Sequence, residues 1–213
     1  MAIKNATWFK RFSERSDLTA YLVHLTRGGG KDYNTPPALE VLLKILREKK
    51  IAASKPGSGF IIGNQSATCF QDTPLYHLSQ NIYADQLYRK ANDGAKTRYV
   101  GIGLMFEKVL VYQSGGRPVI YEQKETAKKL LPDENEWWRI VTHDLSTSDA
   151  LIDWTHEREW RVRGDFTFEL GQATVLLANK AAYSNFVKLC AEDKNKGILE
   201  SVGGIVCLKP VFF

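Results

Sequence analysis

Apolar positions along the chain repeat with two different periods. After Pro36-Pro37, Leu39, Leu42, Leu43 and Leu46 recur at i, i+3, i+4 and i+7, with Arg47, Lys49 and Lys50 at the end. That spacing puts four leucines on one face and predicts an amphipathic helix whose last turn is basic. A second helix is expected from Thr73-Pro74-Leu75 to Arg89, where Leu75, Leu78, Ile82 and Leu87 form a partial stripe, and others from Thr126 to Leu131 and from Lys180 to Ala191. Strand character marks Tyr21-Leu22-Val23-His24-Leu25, which runs into the glycine loop Arg27-Gly28-Gly29-Gly30-Lys31. Further strands are expected at Tyr99–Phe106, Pro118–Tyr121, Glu157–Val162, Phe166–Phe168, Thr174–Leu177 and Ile205–Leu208, with a hairpin around Pro56-Gly57-Ser58-Gly59.

Short strands outnumber helices and do not alternate strictly with them, which favours an α+β fold over a doubly wound parallel sheet. The chain has 213 residues, 44% hydrophobic and 25% charged, with no low-complexity tract or internal repeat. A single domain, 1–213, with a well-filled core is the expectation. The N-terminal stretch is charged and lacks the apolar core of a secretory signal, and no apolar run approaches the ~18 residues of a membrane span. Three cysteines with no close spacing argue against a disulfide framework or structural zinc. Together these point to a cytoplasmic protein. The 29 Lys and Arg against 24 Asp and Glu give a net charge of +5, a mild bias towards a polyanionic partner.

Several chemistries lack their signature. There is no His-Glu-x-x-His or Cys-x-x-Cys, so no metal site is expected. Ser58 and Ser114 are not centred in Gly-x-Ser-x-Gly. Neither Gly57-Ser58-Gly59-Phe60-Ile61-Ile62-Gly63 nor the Arg27–Lys31 loop has a dinucleotide or P-loop frame.

The densest polar chemistry lies in Asp153-Trp154-Thr155-His156-Glu157-Arg158-Glu159-Trp160-Arg161-Val162-Arg163. As one strand, this segment places Glu157, Glu159, Arg161 and Arg163 on one face. Such a face is either solvated and self-neutralising or the lining of a polar cleft. His24, alone at the end of an apolar strand, is either a packed core histidine or a ligand contact.

His24-Leu25-Thr26, the leucine-striped helix ending Leu46-Arg47-Glu48, and Cys69-Phe70-Gln71-Asp72-Thr73-Pro74-Leu75 together resemble the opening of the DarT-like ADP-ribosyltransferases. Tyr99-Val100-Gly101-Ile102-Gly103, Gly116-Arg117-Pro118-Val119-Ile120-Tyr121 and the Trp154–Val162 segment resemble the AbiGi family of bacterial abortive-infection proteins, from about Tyr21 to Phe168. The first-strand Arg and the Ser-Thr-Ser strand of the arginine-modifying transferases are missing. That sets the resemblance with the His-type subclass, which modifies nucleic acids as well as proteins.

The resemblance implies an ADP-ribosyltransferase-like split mixed β-sheet and NAD as substrate. Glu159 would be the catalytic glutamate, since a carboxylate against the ribose 2′-hydroxyl stabilises the oxocarbenium character that develops as nicotinamide leaves. Glu157 would orient or deprotonate the acceptor. His24, Thr26 and Arg27 would hold NAD, and Phe70 would stack on the nicotinamide. The acceptor would be RNA or DNA, with Tyr83, Tyr88, Trp137 and Trp138 beside Arg89 and Arg139 as contact residues or, alternatively, core filling. A cognate toxin or antitoxin protein is a further partner implied. The alternative reading is a non-enzymatic antitoxin or regulatory binding protein of an abortive-infection system.

Overall fold

The computed structural model describes residues 4–26, 36–57, 61–95 and 97–211. In chain order the first elements are α1 (Asn5–Ser13), β1 (Tyr21–Leu25), α2 (Pro36–Glu48), β2 (Lys50–Ile51), β3 (Ala67–Gln71), α3 (Leu75–Ala91) and β4 (Gly103–Glu107). There follow α4 (Lys108–Gln113), β5 (Arg117–Pro118), β6 (Ile120–Glu122), α5 (Lys124–Leu130), β7 (Ile140–Thr142) and β8 (Glu159–Arg163). The chain closes with β9 (Phe166–Thr167), β10 (Thr174–Leu177), α6 (Lys180–Cys190), α7 (Ile198–Ser201) and β11 (Gly204–Cys207). This is a mixed α/β protein whose strands pair mostly antiparallel, with helices beside them.

The chain forms two compact units, each assembled from segments distant in sequence. The first comprises Met1–Lys50, Thr73–Glu107 and Phe168–Phe213. Its strands lie in the order β11-β10-β4-β1, with β1–β4 and β4–β10 antiparallel and β10–β11 parallel. All four predicted leucines of α2 are buried. Val23, Leu78, Ile82, Leu176 and Leu208 form a core into which the inner face of α3 packs. Leu87, the last position of the expected stripe, is exposed, so the apolar face of α3 is shorter than the helix. Gly103 allows β4 to approach β1 closely, because a Cβ there would lie 2.2 Å from the carbonyl oxygen of His24.

The second unit comprises Ile51–Asp72 and Lys108–Thr167. Its three main strands run β3-β8-β5, all antiparallel, and β6 and β7 form a separate parallel pair. Phe70 and Phe166 meet edge to face, with ring centroids 5.2 Å apart. Ile61, Ala67 and Trp138 make a second buried cluster.

Several elements differ from the sequence expectation. Helices α1 and α4 were not expected from the pattern. The strand anticipated from Glu157 begins at Glu159, because Thr155–Glu157 is a turn of 3-10 helix and Arg158 adopts left-handed backbone, φ 44° and ψ 50°. The span expected as one strand over Tyr99–Phe106 is regular only from Gly103. Ile61 and Ile62 are not in a strand; Pro56 and Gly57 form a turn as expected, and Ser58 and Gly59 lie outside the described residues.

Candidate functional site

Antiparallel pairing of β3 with β8 sets Gln71 opposite Glu159, Phe70 opposite Trp160 and Cys69 opposite Arg161. Cross-strand partners share a face, so Cys69, Gln71, Glu159 and Arg161 lie on one side of this ribbon, and Phe70 and Trp160 on the other.

On the first side, the Glu159 carboxylate is held by Arg161, Nε to Oε1 at 2.7 Å and Nη2 to Oε2 at 3.2 Å. The arginine side chain is 1% exposed and the glutamate 16%. Arg161 Nη1 donates to the carbonyls of Trp138 at 2.7 Å and Ile140 at 3.1 Å, so the guanidinium joins the start of β8 to the segment entering β7. The Glu159 backbone N–H donates to the Tyr121 hydroxyl at 2.8 Å. Burial pushes the Tyr121 phenol up to about 12 against the opposing pull of that N–H, and the carboxylates of Glu159 and Glu157 add to the rise.

Glu157 reaches the same neighbourhood from the 3-10 turn. Gln71 Nε2 donates to its Oε2, while Gln71 Oε1 is buried without a hydrogen-bond partner. His156 Nε2 lies 3.6 Å from Glu157 Oε1. The two glutamates therefore sit at a turn and at a strand start, with Gln71 bonded to Glu157 and standing opposite Glu159 in the ladder. They do not share the face of one strand as the alternation predicts, and Arg163 is exposed while Arg161 is buried.

On the opposite side, Asp72 is bound by Lys108 Nζ at 2.8 Å and has Arg158 Nη2 at 3.6 Å; its N–H donates to the Arg158 carbonyl at 3.1 Å. Lys108 Nζ also stands 5.9 Å from the centroid of the Trp160 ring.

The residues expected to hold NAD are distributed as follows. His24 is half-buried on β1, opposite Leu104. Thr26 is 2% exposed, and both its hydroxyl and its N–H donate to the Ile102 carbonyl at 2.9 Å, so its side chain is committed within the first unit. Phe70 is 1% exposed and packed on Phe166; it offers no ring face for stacking, contrary to the sequence expectation. Arg27 lies outside the described residues. Of the aromatics weighed as contact residues, Tyr83 and Tyr88 are exposed, Trp138 is core and Trp137 is half-buried.

Sequence reasoning missed Tyr121, Gln71 and the Asp72–Lys108–Arg158 cluster. The one signal for them in the sequence is the polar pair Gln71-Asp72 within the Cys69–Leu75 segment. Among the described residues no group of three or more His, Cys, Asp or Glu side chains is placed to share a metal ion. Nor is any helix among them long and apolar enough to cross a membrane. Compared with known proteins, the chain matches no family model, no curated protein and no solved structure.

Proposed function

We propose that this protein is an NAD-dependent ADP-ribosyltransferase of a bacterial phage-defence or toxin–antitoxin system, modifying nucleic acid, RNA or DNA. On this reading the mostly antiparallel strands belong to an ADP-ribosyltransferase-like split sheet. The observation that carries it is the Glu159 carboxylate, fixed at the first residue of β8 by the buried Arg161, with Tyr121 holding its backbone and Glu157 two residues away. An anion positioned before the reaction is what stabilises developing positive charge on a ribose without reorganisation. Glu157, held by Gln71, is the group that orients or deprotonates the acceptor hydroxyl or ring nitrogen. The unpartnered Gln71 Oε1 is an acceptor suited to a sugar hydroxyl. Thr26 and Phe70, being buried, make no contact with NAD on this reading.

A second reading, a non-enzymatic antitoxin or regulatory binding protein, draws on the same ion pair. Both oxygens of Glu159 are engaged by Arg161, an arrangement that also serves as a structural tie.

The experiment is incubation of purified protein and of Glu159→Gln with labelled NAD and RNA, DNA or cell extract, reading transfer and free nicotinamide beside a growth-toxicity test. Transfer and toxicity that disappear in a folded Glu159→Gln support the transferase. Identical behaviour of the two proteins in both tests overturns it in favour of the binding protein.

A further inference from the structure

A separate feature of the second unit is a cleft of about 510 Å³ lined by Ile61, Ile62, Gly63, Lys124, Lys128, Trp137, Val141, Thr142, Ile152 and Trp154. That volume is within the range of small-molecule sites. Its walls combine two indoles and an aliphatic surface with two lysines, and among the described residues no carboxylate lines it. Gly63 forms part of the wall because a Cβ there would meet the Trp137 Cβ at 2.9 Å. Trp137 is fixed by its indole N–H, which donates to the Leu131 carbonyl at 2.8 Å. The Lys128 ammonium sits 4.7 Å from the Trp137 ring centroid, a cation held over the negative face of the π system. Its ion pair with Glu125, at 3.3 Å, is to a glutamate that is largely exposed, the kind of contact a phosphate readily replaces. Lys124 is exposed at the start of α5.

We propose that this cleft binds a nucleotide, with its base against Trp154 and the aliphatic wall of Val141 and Ile152 and its phosphate at Lys124 and Lys128. The lining matches both halves of such a ligand: a flat π surface for any base, and for the phosphate two lysines, of which Lys128 would exchange its exposed Glu125 partner. A purely apolar ligand would leave the lysines unmatched, and an acidic peptide would leave the indoles so. The thymine-like or purine-like identity of the base is not encoded, because stacking is tolerant of sequence. The inference rests on the lining of the cleft alone and not on transfer from NAD. Val141 in the cleft wall is the register partner of Tyr121, whose hydroxyl accepts from the Glu159 N–H.

The test uses the full chain and reads tryptophan fluorescence with AMP, UMP, adenosine, pyrophosphate and a 5′-phosphorylated single-stranded RNA hexamer. Saturable binding of a nucleotide is expected, with adenosine and pyrophosphate each at least about 10-fold weaker. Trp154→Ala and Lys124→Glu should each weaken binding by about 10-fold, the equivalent of about 1.4 kcal/mol. Lys124 is an exposed position, so that variant keeps the fold, checked by its melting curve, if Trp154→Ala does not. Equal affinity for AMP and the hexamer supports a free nucleotide; tighter, salt-sensitive binding of the hexamer supports a strand. Loss of binding in the cleft variants bears on this site, and loss of transfer in Glu159→Gln bears on the transferase reading, so the two fail separately. Absence of nucleotide binding, or binding unchanged in both cleft variants, overturns the proposal.

Discussion

Arg161 grips both carboxylate oxygens of Glu159, at 2.7 and 3.2 Å, from a position where almost none of its own side chain meets solvent. With Nη1 on the Trp138 and Ile140 carbonyls, the guanidinium is a buried cation held by four hydrogen bonds. Glu159 is its counter-charge, and any catalytic role is built on that tie.

Truncating either partner leaves an uncompensated charge, which typically costs about 3–5 kcal/mol. Glu159→Ala and Arg161→Ala are therefore expected to lower stability by amounts in that range. Glu159→Gln keeps one acceptor for Arg161 and should lose roughly half as much. Urea denaturation of the three variants measures this. Losses below about 1 kcal/mol for both alanine variants would mean that the pair is not held as described.

How much of this was legible in the chain depends on the element. The leucines of α2 carry helical periodicity and Thr174–Leu177 is a short apolar run of strand formers, and both elements fall where these features put them. The Glu157–Arg163 segment does not, because alternation cannot announce a left-handed residue in its middle: Arg158 is neither glycine nor asparagine. One residue out of register sends Glu157 into a turn. The burial of Arg161 was equally hidden, since its partners are carbonyls twenty-one and twenty-three residues earlier that no local pattern connects to it. The stacking role of Phe70 comes from the resemblance, which carries no information on burial: its strand sets it opposite Trp160 and packs it on Phe166.

Cys69 stands across from Arg161, and burial, reinforced by the charge of Glu159, pushes its thiol up to about 12. Since only the thiolate is nucleophilic, Cys69 should be inert in the native protein. Iodoacetamide labelling at pH 8, followed site by site by mass spectrometry, is expected to be at least about 100-fold slower at Cys69 in the native than in the denatured chain. Equal rates would contradict the packing around β3.

The Tyr121 phenol, raised to about 12 from an ordinary 10.0, keeps its proton in the folded state at pH values where the unfolded chain begins to lose it. Its stabilising contribution is thus complete below about pH 10 and is lost as the pH rises through about 12. Ultraviolet titration should show a late-ionising tyrosine that disappears in Tyr121→Phe. That variant, which leaves the Glu159 N–H without its acceptor, should also be about 1 kcal/mol less stable at neutral pH. A tyrosine titration unchanged by the substitution would place the late group elsewhere.

Arg158 separates the two glutamates with φ 44°, a conformation that costs a residue bearing a Cβ about 1 kcal/mol relative to glycine. Its side chain adds a partly exposed contact to Asp72 at 3.6 Å, worth little. Comparing Arg158→Gly with Arg158→Ala isolates the backbone, because both lose that contact. Arg158→Gly should be the more stable by about 1 kcal/mol, the reverse of the usual order in regular structure. If the glutamates act together, the geometry that this turn imposes is what joins them, and Arg158→Gly should preserve activity while a proline at the same position, whose φ is fixed near −65°, should abolish it. An active proline variant would show that Glu157 is not part of the site.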